Sequence, residues 1–222
     1  MTDASSERTR VKRAKDKARY DRGIVDAIFD EALICHVGFV ADGSPFVIPT
    51  IHARVGDILY FHGSPASRML RLMKEGAEVT VTATLLDGVV AARSVFHHSM
   101  HYRSAMVFGK ARIVDSSEER VVALKAISNA ALPGRWNEAR LPSRNEDKGT
   151  LLVAVPIEEY SAKVSENDMG DEEEDYDLPI WAGVIPLSLV AGTPESDSRL
   201  LDGVEVPESV REFVASHPPF EE

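Results

Sequence analysis

Apolar and polar residues alternate along several short stretches of the chain, which predicts antiparallel strands. Turns rich in Gly, Asp and Pro separate these stretches. The strand candidates cover residues 34–41, 46–54, 58–62, 79–86, 89–96 and 104–114. Residues 151–155 and 161–164 could add two late strands. Because the connections are short, we expect a closed or partly closed antiparallel barrel rather than a parallel sheet built from βαβ units.

Three stretches have apolar residues at helical spacing instead. Residues 21–32 predict an amphipathic helix that leads into the barrel. Residues 69–75 predict a short helix that ends at Gly76, and residues 117–131 predict a longer one that ends before Pro133. The sequence therefore predicts strands with a few flanking helices.

Charge divides the chain into three regions. Residues 1–20 form a basic extension, residues 21–190 form the barrel domain with an acidic loop over residues 166–178, and residues 191–222 form an acidic, Pro-containing tail. We expect the tail to be loosely attached. The basic extension is interpreted as solvated and partly disordered, as most charge runs are, with a nucleic-acid arm or a membrane-surface segment as the alternatives.

Composition limits the function classes. The formal net charge of −11 argues against nucleic acid as a partner, because most of the surface would repel a polyanion. No apolar run approaches the roughly 18 residues that cross a bilayer, and no apolar signal core follows the N-terminus, so we expect a cytoplasmic protein without a membrane partner. The single cysteine, Cys35, lies in an apolar run, which favours a buried, inert thiol.

The segment from Val47 to Arg68 holds the strongest candidate site. Two strand-like runs are followed by a hydroxyl-rich loop, and Ser67 stands at the predicted start of a helix. A hydroxyl, free backbone N–H groups, the helix dipole and the Arg68 guanidinium would converge there, which is one way to hold a phosphate. The alternative is an ordinary N-cap serine.

Three histidines, His97, His98 and His101, lie close together in a second block. No compact set of Asp, Glu or Cys accompanies them, so we expect no metal site, since a structural zinc normally needs four ligands. A loop that lines a pocket or a subunit contact is favoured, and haem ligation is a minor option. The common hydrolase, phosphate-loop and dinucleotide motifs are absent from the sequence.

Five segments, taken in order, resemble the pyridoxamine 5′-phosphate oxidase-like, FMN-binding split-barrel superfamily. They are ICHVGFV at 34–40, PFVIPTI at 45–51, YFHGSPASRML at 60–70, YRSAMVFG at 102–109 and WAGVIPL at 181–187. Within the superfamily the chain most resembles the flavin-nucleotide-binding branch related to nitroimidazole-resistance proteins. The resemblance runs from about Arg10 to Leu189, and YFHGS with the following SRML is its most specific part.

This resemblance implies a mainly β, α+β fold: a six-stranded antiparallel split β-barrel with flanking helices, which forms a homodimer with FMN at the subunit interface. Matching positions imply roles in cofactor binding. The strand residues Ile48, Pro49, Thr50 and Ile51 would lie along the flavin, Phe61 and His62 beside it, Ser67 and Arg68 at the phosphate, Tyr102, Arg103 and Ser104 on a strand from the partner, and Trp181 near the ring. Met69 also belongs to the site, but it stands where the oxidase proper has Lys, so one phosphate contact is missing.

The segment after Trp181 lacks the arginines with which the oxidase holds its vitamin substrate, so pyridoxamine phosphate oxidation is disfavoured. We therefore expect an FMN-dependent oxidoreductase that acts on a small flat acceptor, nitroaromatic or quinone-like. Backbone N–H groups of residues 49–51 would hydrogen-bond the flavin, and His62 is the candidate catalytic residue, as a proton donor or substrate contact, unless it is a packed strand-end histidine. A non-catalytic flavin-binding or sensing module, and a haem-handling relative, are the alternatives.

Overall fold

The computed structural model describes residue 4, residues 6–166 and residues 170–219. The strands are β1 (Ala18–Arg19), β2 (Cys35–Ala41), β3 (Ser44–Thr50), β4 (Ala53–Val55), β5 (Ile58–Gly63), β6 (Glu78–Ala91), β7 (Ser99–Lys110), β8 (Arg112–Ile113), β9 (Leu151–Pro156), β10 (Glu159–Ser165) and β11 (Gly183–Pro186). The α-helices are α1 (Arg22–Glu31), α2 (Arg68–Lys74), α3 (Ser117–Ala131), α4 (Arg144–Lys148) and α5 (Glu208–Ala215).

The strands form two antiparallel sheets. A seven-stranded sheet has the order β1-β10-β7-β6-β2-β3, with β11 also paired to β6, and a four-stranded sheet has the order β4-β5-β9-β8. The predicted α+β class, mostly antiparallel strands with flanking helices, is confirmed. The number of strands differs from the predicted six, in part because strands of only two residues, such as β1 and β8, leave little pattern in the sequence.

The predicted turn at Asp87 and Gly88 is wrong. Strand β6 continues through these residues to Ala91, and its pairing with β7 shifts register between Leu86 and Gly88, as at a β-bulge. A Cβ atom on Gly88 would lie 2.9 Å from Val184 on β11, so a glycine allows the two strands to approach closely here. Turn residues and bulge residues are the same types, which is why the sequence did not separate the two structures.

The predicted strand over residues 46–54 is divided between the two sheets. Strand β3 ends at Thr50, and the chain crosses to the smaller sheet as β4. His52 marks the crossing: it is 2% exposed, and its Nε2 donates to the carbonyl oxygen of Phe29 on α1 at 2.8 Å. Apolar alternation persists on both sides of the crossing, so the pattern alone cannot show it.

Two hydrophobic clusters lie on opposite faces of β5. Leu59 and Phe61 point into the main core between the sheets, where α1 and α2 also pack. Tyr60 points the other way, into a smaller cluster with Ala123 and Ile127 of α3. This alternation is the normal period of a strand, and it places residue 62 on the α3 side as well.

Both terminal regions contact the barrel. In the N-terminal extension, β1 pairs with β10, and Arg8 contacts the carboxylate of Glu159. Residues 1–3 and 5 of the basic extension lie outside the described residues. The expectation of a loosely attached tail is wrong for residues 208–215, because α5 places Ser209 in a buried position where it donates to Glu138.

The acidic loop predicted over residues 166–178 includes residues 167–169, which lie outside the described residues. In its described part, the carboxylate of Asp171 accepts hydrogen bonds from the backbone N–H groups of Arg93 and Ser94. In the described part of the chain, no helix has both the length and the apolar character to cross a bilayer.

Candidate functional site

The predicted phosphate-binding residues lie at the start of α2, beside β3. The Arg68 guanidinium carbon is 4.7 Å from the centre of the Phe46 ring on β3. Arg68 is exposed, and it forms no ion pair with any residue that the structure describes. The Ser67 hydroxyl accepts a hydrogen bond from the N–H of Leu70, at 3.4 Å, so it does cap the helix. Because α2 has only seven residues, Arg68 rather than the helix dipole supplies the positive charge here.

Strand β3 is the last strand of the larger sheet and pairs with β2 alone. One edge of its main chain therefore faces no other strand among the described residues. Ile48 packs partly against the main core, whereas Pro49 is exposed and has no N–H to donate. The hydrogen-bond donors for a ligand along residues 49–51 are therefore limited to Thr50 and Ile51.

Three of the predicted contact residues have side chains that are engaged elsewhere. Phe61 is 0% exposed and Met69 is 4% exposed, and both lie in the main core. The Arg103 guanidinium donates to the carboxylates of Glu31 and Asp87, and these two partners raise its pKa further above its ordinary value. The structure therefore places Arg68 against β3 at Phe46, on the strand that also carries Ile48 and Thr50, whereas the side chains of Phe61, Met69 and Arg103 are engaged elsewhere.

Tyr102, Arg103 and Ser104 lie on β7, which is separated from β3 by β6 and β2. Three strand spacings correspond to about 14 Å, so these residues and β3 cannot contact one small ring within a protomer. Trp181 precedes β11 and is 68% exposed. Tyr102 and Ser104 could join the β3 region only from a second copy of the chain, which is the arrangement that the resemblance implies.

The structure places His62 beside a cavity. It is near the end of β5, on the face opposite Phe61, and it borders a cavity of about 240 Å³. The walls are mostly apolar and come from α3 and the segment after it: Leu124, Ile127, Ser128, Trp136, Ala139, Arg140, Leu141 and Pro142. A second cavity of about 270 Å³ shares Leu124, Trp136, Leu141 and Pro142 with it. We call these adjoining cavities the α3 cleft.

The imidazole of His62 is suited to act as a neutral ligand. Its Nδ1 atom is buried and has no hydrogen-bond partner among the described residues. Burial also lowers the pKa of His62 below the ordinary value of 6.5, so the ring stays uncharged at neutral pH. A buried nitrogen without a hydrogen-bond partner costs free energy, so this position of His62 calls for an explanation.

A hydrogen-bonded group of three residues fixes α3 against β5. The Tyr60 hydroxyl donates to Glu119 at 2.8 Å, and Arg112 donates to the same carboxylate at 2.6 Å. Burial and the bond to Glu119 raise the pKa of Tyr60 to about 12, so it remains a donor. On the other wall, the C-terminal helix α5 holds Glu138 through Ser209. Polar contacts outside the cavity therefore position both walls of the α3 cleft, helix α3 and the segment that follows it.

The sequence analysis missed the α3 cleft. Its wall residues Trp136, Leu141 and Pro142 lie in a stretch between α3 and α4 with no periodic pattern. A single tryptophan among Pro, Gly and charged residues was the one available signal. The histidines of the second block remain apart from the cleft; His97 lies 3.6 Å from Glu172, and the described residues include no cluster of three or more potential metal ligands.

Comparisons with solved structures give full-length matches. The chain is 37% identical to the flavocytochrome Anf3 from Azotobacter vinelandii, over 95% of this chain and 98% of that one, with a TM-score of 0.89. It is 38% identical to the FAD and haem binding protein from Mycobacterium smegmatis, over 88% and 96% of the two chains, with a TM-score of 0.84.

A putative 5-nitroimidazole antibiotic resistance protein from Bacteroides thetaiotaomicron is 23% identical, over 66% of this chain and 86% of that one, with a TM-score of 0.56, and it supports the fold alone. No curated protein matches the sequence. The sequence profile of the pyridoxamine 5′-phosphate oxidase family matches residues 21–164. The profile match and the two full-length structural matches together confirm the resemblance, and the chain belongs to the pyridoxamine 5′-phosphate oxidase family.

Proposed function

We propose that the protein is a flavin-dependent oxidoreductase that acts on a small flat acceptor, nitroaromatic or quinone-like. The observation that carries the proposal is the position of Arg68, exposed and without an ion-pair partner in the described chain, beside the free edge of β3. An edge strand can hydrogen-bond a flat ring through its main chain. An arginine can bind a phosphate through two parallel N–H···O hydrogen bonds. The flavin would supply hydride or electron transfer when bound.

The chain's own residues would bind and orient the cofactor. Thr50 and Ile51 would donate backbone N–H groups to the polar edge of the ring, and Arg68 would hold the phosphate. FMN is the flavin that the resemblance implies. The M. smegmatis protein is described as binding FAD, which has the same ring and an added AMP unit, so FAD is the alternative.

A homodimer follows from the same proposal. Tyr102 and Ser104 are too far from β3 to reach the same ring within a protomer, and Trp181 presents 68% of its surface to solvent. If the partner supplies these residues, flavin occupancy should rise and fall with dimer formation. A monomer that retains one flavin per chain in analytical ultracentrifugation would contradict the shared site.

A second candidate function, haem binding, is favoured by the α3 cleft. Porphyrins bind in apolar clefts where a neutral imidazole faces the iron. His62 fits this requirement because it borders the cleft and burial lowers the pKa of its imidazole. Anf3 is described as a flavocytochrome, and the M. smegmatis protein as binding haem. In this proposal His62 is an iron ligand, and flavin and haem occupy separate regions of one chain.

One set of spectra tests both candidates. Protein purified without added cofactor should show flavin absorption, and chromatography of the released pigment distinguishes FMN from FAD. Added haem should give a Soret band, which His62→Ala should lose. His98→Ala is the matched control from the second block and should bind haem normally. A colourless protein that ignores added flavin would refute the main proposal, and equal haem binding by both variants would refute the second.

Turnover then decides between an enzyme and a binding module. The reduced protein should be reoxidised by a quinone or a nitroaromatic compound, and it should not consume pyridoxamine phosphate. Flavin that binds but is not reoxidised by any flat acceptor would favour the sensing module over the oxidoreductase.

A further inference from the structure

The N-terminal extension places a strong positive charge on an acidic protein. Residues 6–20 contain seven basic and two acidic side chains, a net charge of +5, although the whole chain carries −11. Five of the basic residues are exposed: Arg8, which contacts Glu159, and the four residues Arg10, Lys12, Arg13 and Lys15. We call these four residues the arm patch.

Little of this charge is neutralised. Arg10 and Lys12 share one carboxylate, that of Glu7. Arg13 and Lys15 form no ion pair with any described residue. The neighbouring Arg19 guanidinium donates to the backbone carbonyls of Asp16 and Ala18, which leaves its charge uncompensated there. The arm patch is therefore an electropositive surface and not one half of an internal salt-bridge network.

Strand pairing and hydrogen bonds hold the extension in place. Ala18 and Arg19 pair with β10, the Lys17 ammonium donates to Ser165 at 2.9 Å, and the backbone N–H of Val11 donates to the Tyr20 hydroxyl at 2.8 Å. The arm patch therefore has a defined position relative to the sheet. A long flexible basic tail would not have one.

The sheet register gives that position. Ala18 pairs with Lys163 on β10, and Lys163 pairs with Ser104 on β7. Two strand spacings put the root of the extension about 10 Å from Ser104, a residue of the proposed flavin region. The positively charged extension is thus anchored on the sheet close to a residue of the proposed flavin region.

We propose that the arm patch docks an acidic protein that carries single electrons and delivers them to the bound cofactor. This inference rests on the proposed function. The carrier is oxidised and the cofactor is reduced by one electron in each encounter; no covalent bond breaks, and two encounters with proton uptake from solvent complete the reduction of a flavin. The overall charge of −11 would repel such a carrier, so a local positive surface is needed to orient it.

The test uses a reduced acidic [2Fe–2S] ferredoxin as the probe and stopped-flow absorbance of the cofactor as the signal. The second-order rate constant should fall about 10-fold between 10 and 100 mM salt, because the screening length shrinks from about 30 Å to about 10 Å. At 10 mM salt, the double variant Arg13→Gln/Lys15→Gln should react about 3- to 10-fold more slowly.

Two controls isolate the arm patch. The double variant Lys74→Gln/Lys125→Gln removes the same charge from two exposed positions elsewhere and should react within two-fold of the unchanged protein. Photoreduced deazariboflavin, a small neutral reductant, should reduce all three proteins at the same rate. A rate that ignores salt, or equal losses in both double variants, would overturn the proposal.

Binding measured without electron transfer separates this proposal from the cofactor proposal. Ferredoxin labelled for fluorescence anisotropy should bind at 10 mM salt, and Arg13→Gln/Lys15→Gln should weaken that binding at least five-fold, whether or not a cofactor is loaded. No binding would overturn the proposal. The proposal would also be overturned if the arm patch bound single-stranded DNA or anionic vesicles in place of ferredoxin. Self-association that this double variant abolishes would overturn it as well, because the partner would then be a second copy of the chain.

Discussion

Replacing Arg68 with alanine tests the proposed phosphate contact directly. The guanidinium lies at the start of α2, 4.7 Å over the Phe46 ring, and has no carboxylate partner in the described chain, so its charge is free for a ligand. A hydrogen bond to a charged group contributes about 1.5 to 3 kcal/mol. Arg68 is exposed, and solvent screening puts the expected loss near the lower end, which corresponds to flavin binding about 10- to 30-fold weaker.

The assay is quenching of flavin fluorescence, with FMN and FAD titrated separately. Arg71→Ala is the matched control, because Arg71 is an exposed arginine one turn further along the same helix. It should change the dissociation constant less than two-fold. Arg68→Lys should give an intermediate loss, since an ammonium keeps the charge but not the planar pair of donors. Unchanged affinity in Arg68→Ala, or equal losses at Arg68 and Arg71, would refute the assignment of the phosphate to Arg68.

Three further predictions concern the fold that supports the site. Gly109→Ala should lower the free energy of unfolding by about 1 to 3 kcal/mol in chemical denaturation, because the new Cβ would lie 2.8 Å from Val155; unaltered stability would contradict this packing. Tyr60→Phe should cost about 1 kcal/mol through the lost bond to Glu119, whereas Tyr160→Phe should cost less. Stability should fall as the pH drops from 7 to 5, since the unfolded imidazoles of His52 and His62 take up protons near 6.5 and burial lowers both folded pKa values; urea titrations that show a flat or opposite trend would count against this.

The spacing of apolar residues was sufficient to predict the helices that bury one face. The helix predicted over residues 21–32 corresponds to α1, Arg22–Glu31, and the helix predicted over residues 117–131 coincides with α3, Ser117–Ala131. Apolar spacing specifies such helices because the same residues that form the pattern also form the core. The pattern could not specify where the chain leaves one sheet for the other at His52, since the buried bond to Phe29 that holds the crossing joins residues far apart in sequence.

The candidate site, like the fold, could be predicted from the sequence only in part. The position of Ser67 at the start of a helix followed from consecutive residues, and Ser67 is the N-cap of α2. The grouping of His62 with Phe61 beside one ligand stays a prediction; the two side chains face opposite sides of the sheet, as adjacent residues of a strand do. The α3 cleft depends on a tertiary contact between β5, α3 and an irregular segment, and no periodicity in the sequence encodes that contact.

The docking of α5 has a practical consequence for work on this protein. Ser209 holds Glu138, which lies in the same segment as the cleft residues Trp136 and Ala139. Shortening the chain ahead of Glu208, or fusing a bulky tag close behind Ala215, would therefore disturb a wall of the proposed haem site from a distance. Weak pigment retention by such an engineered form would reflect the design of the expression plasmid and not the chemistry of His62.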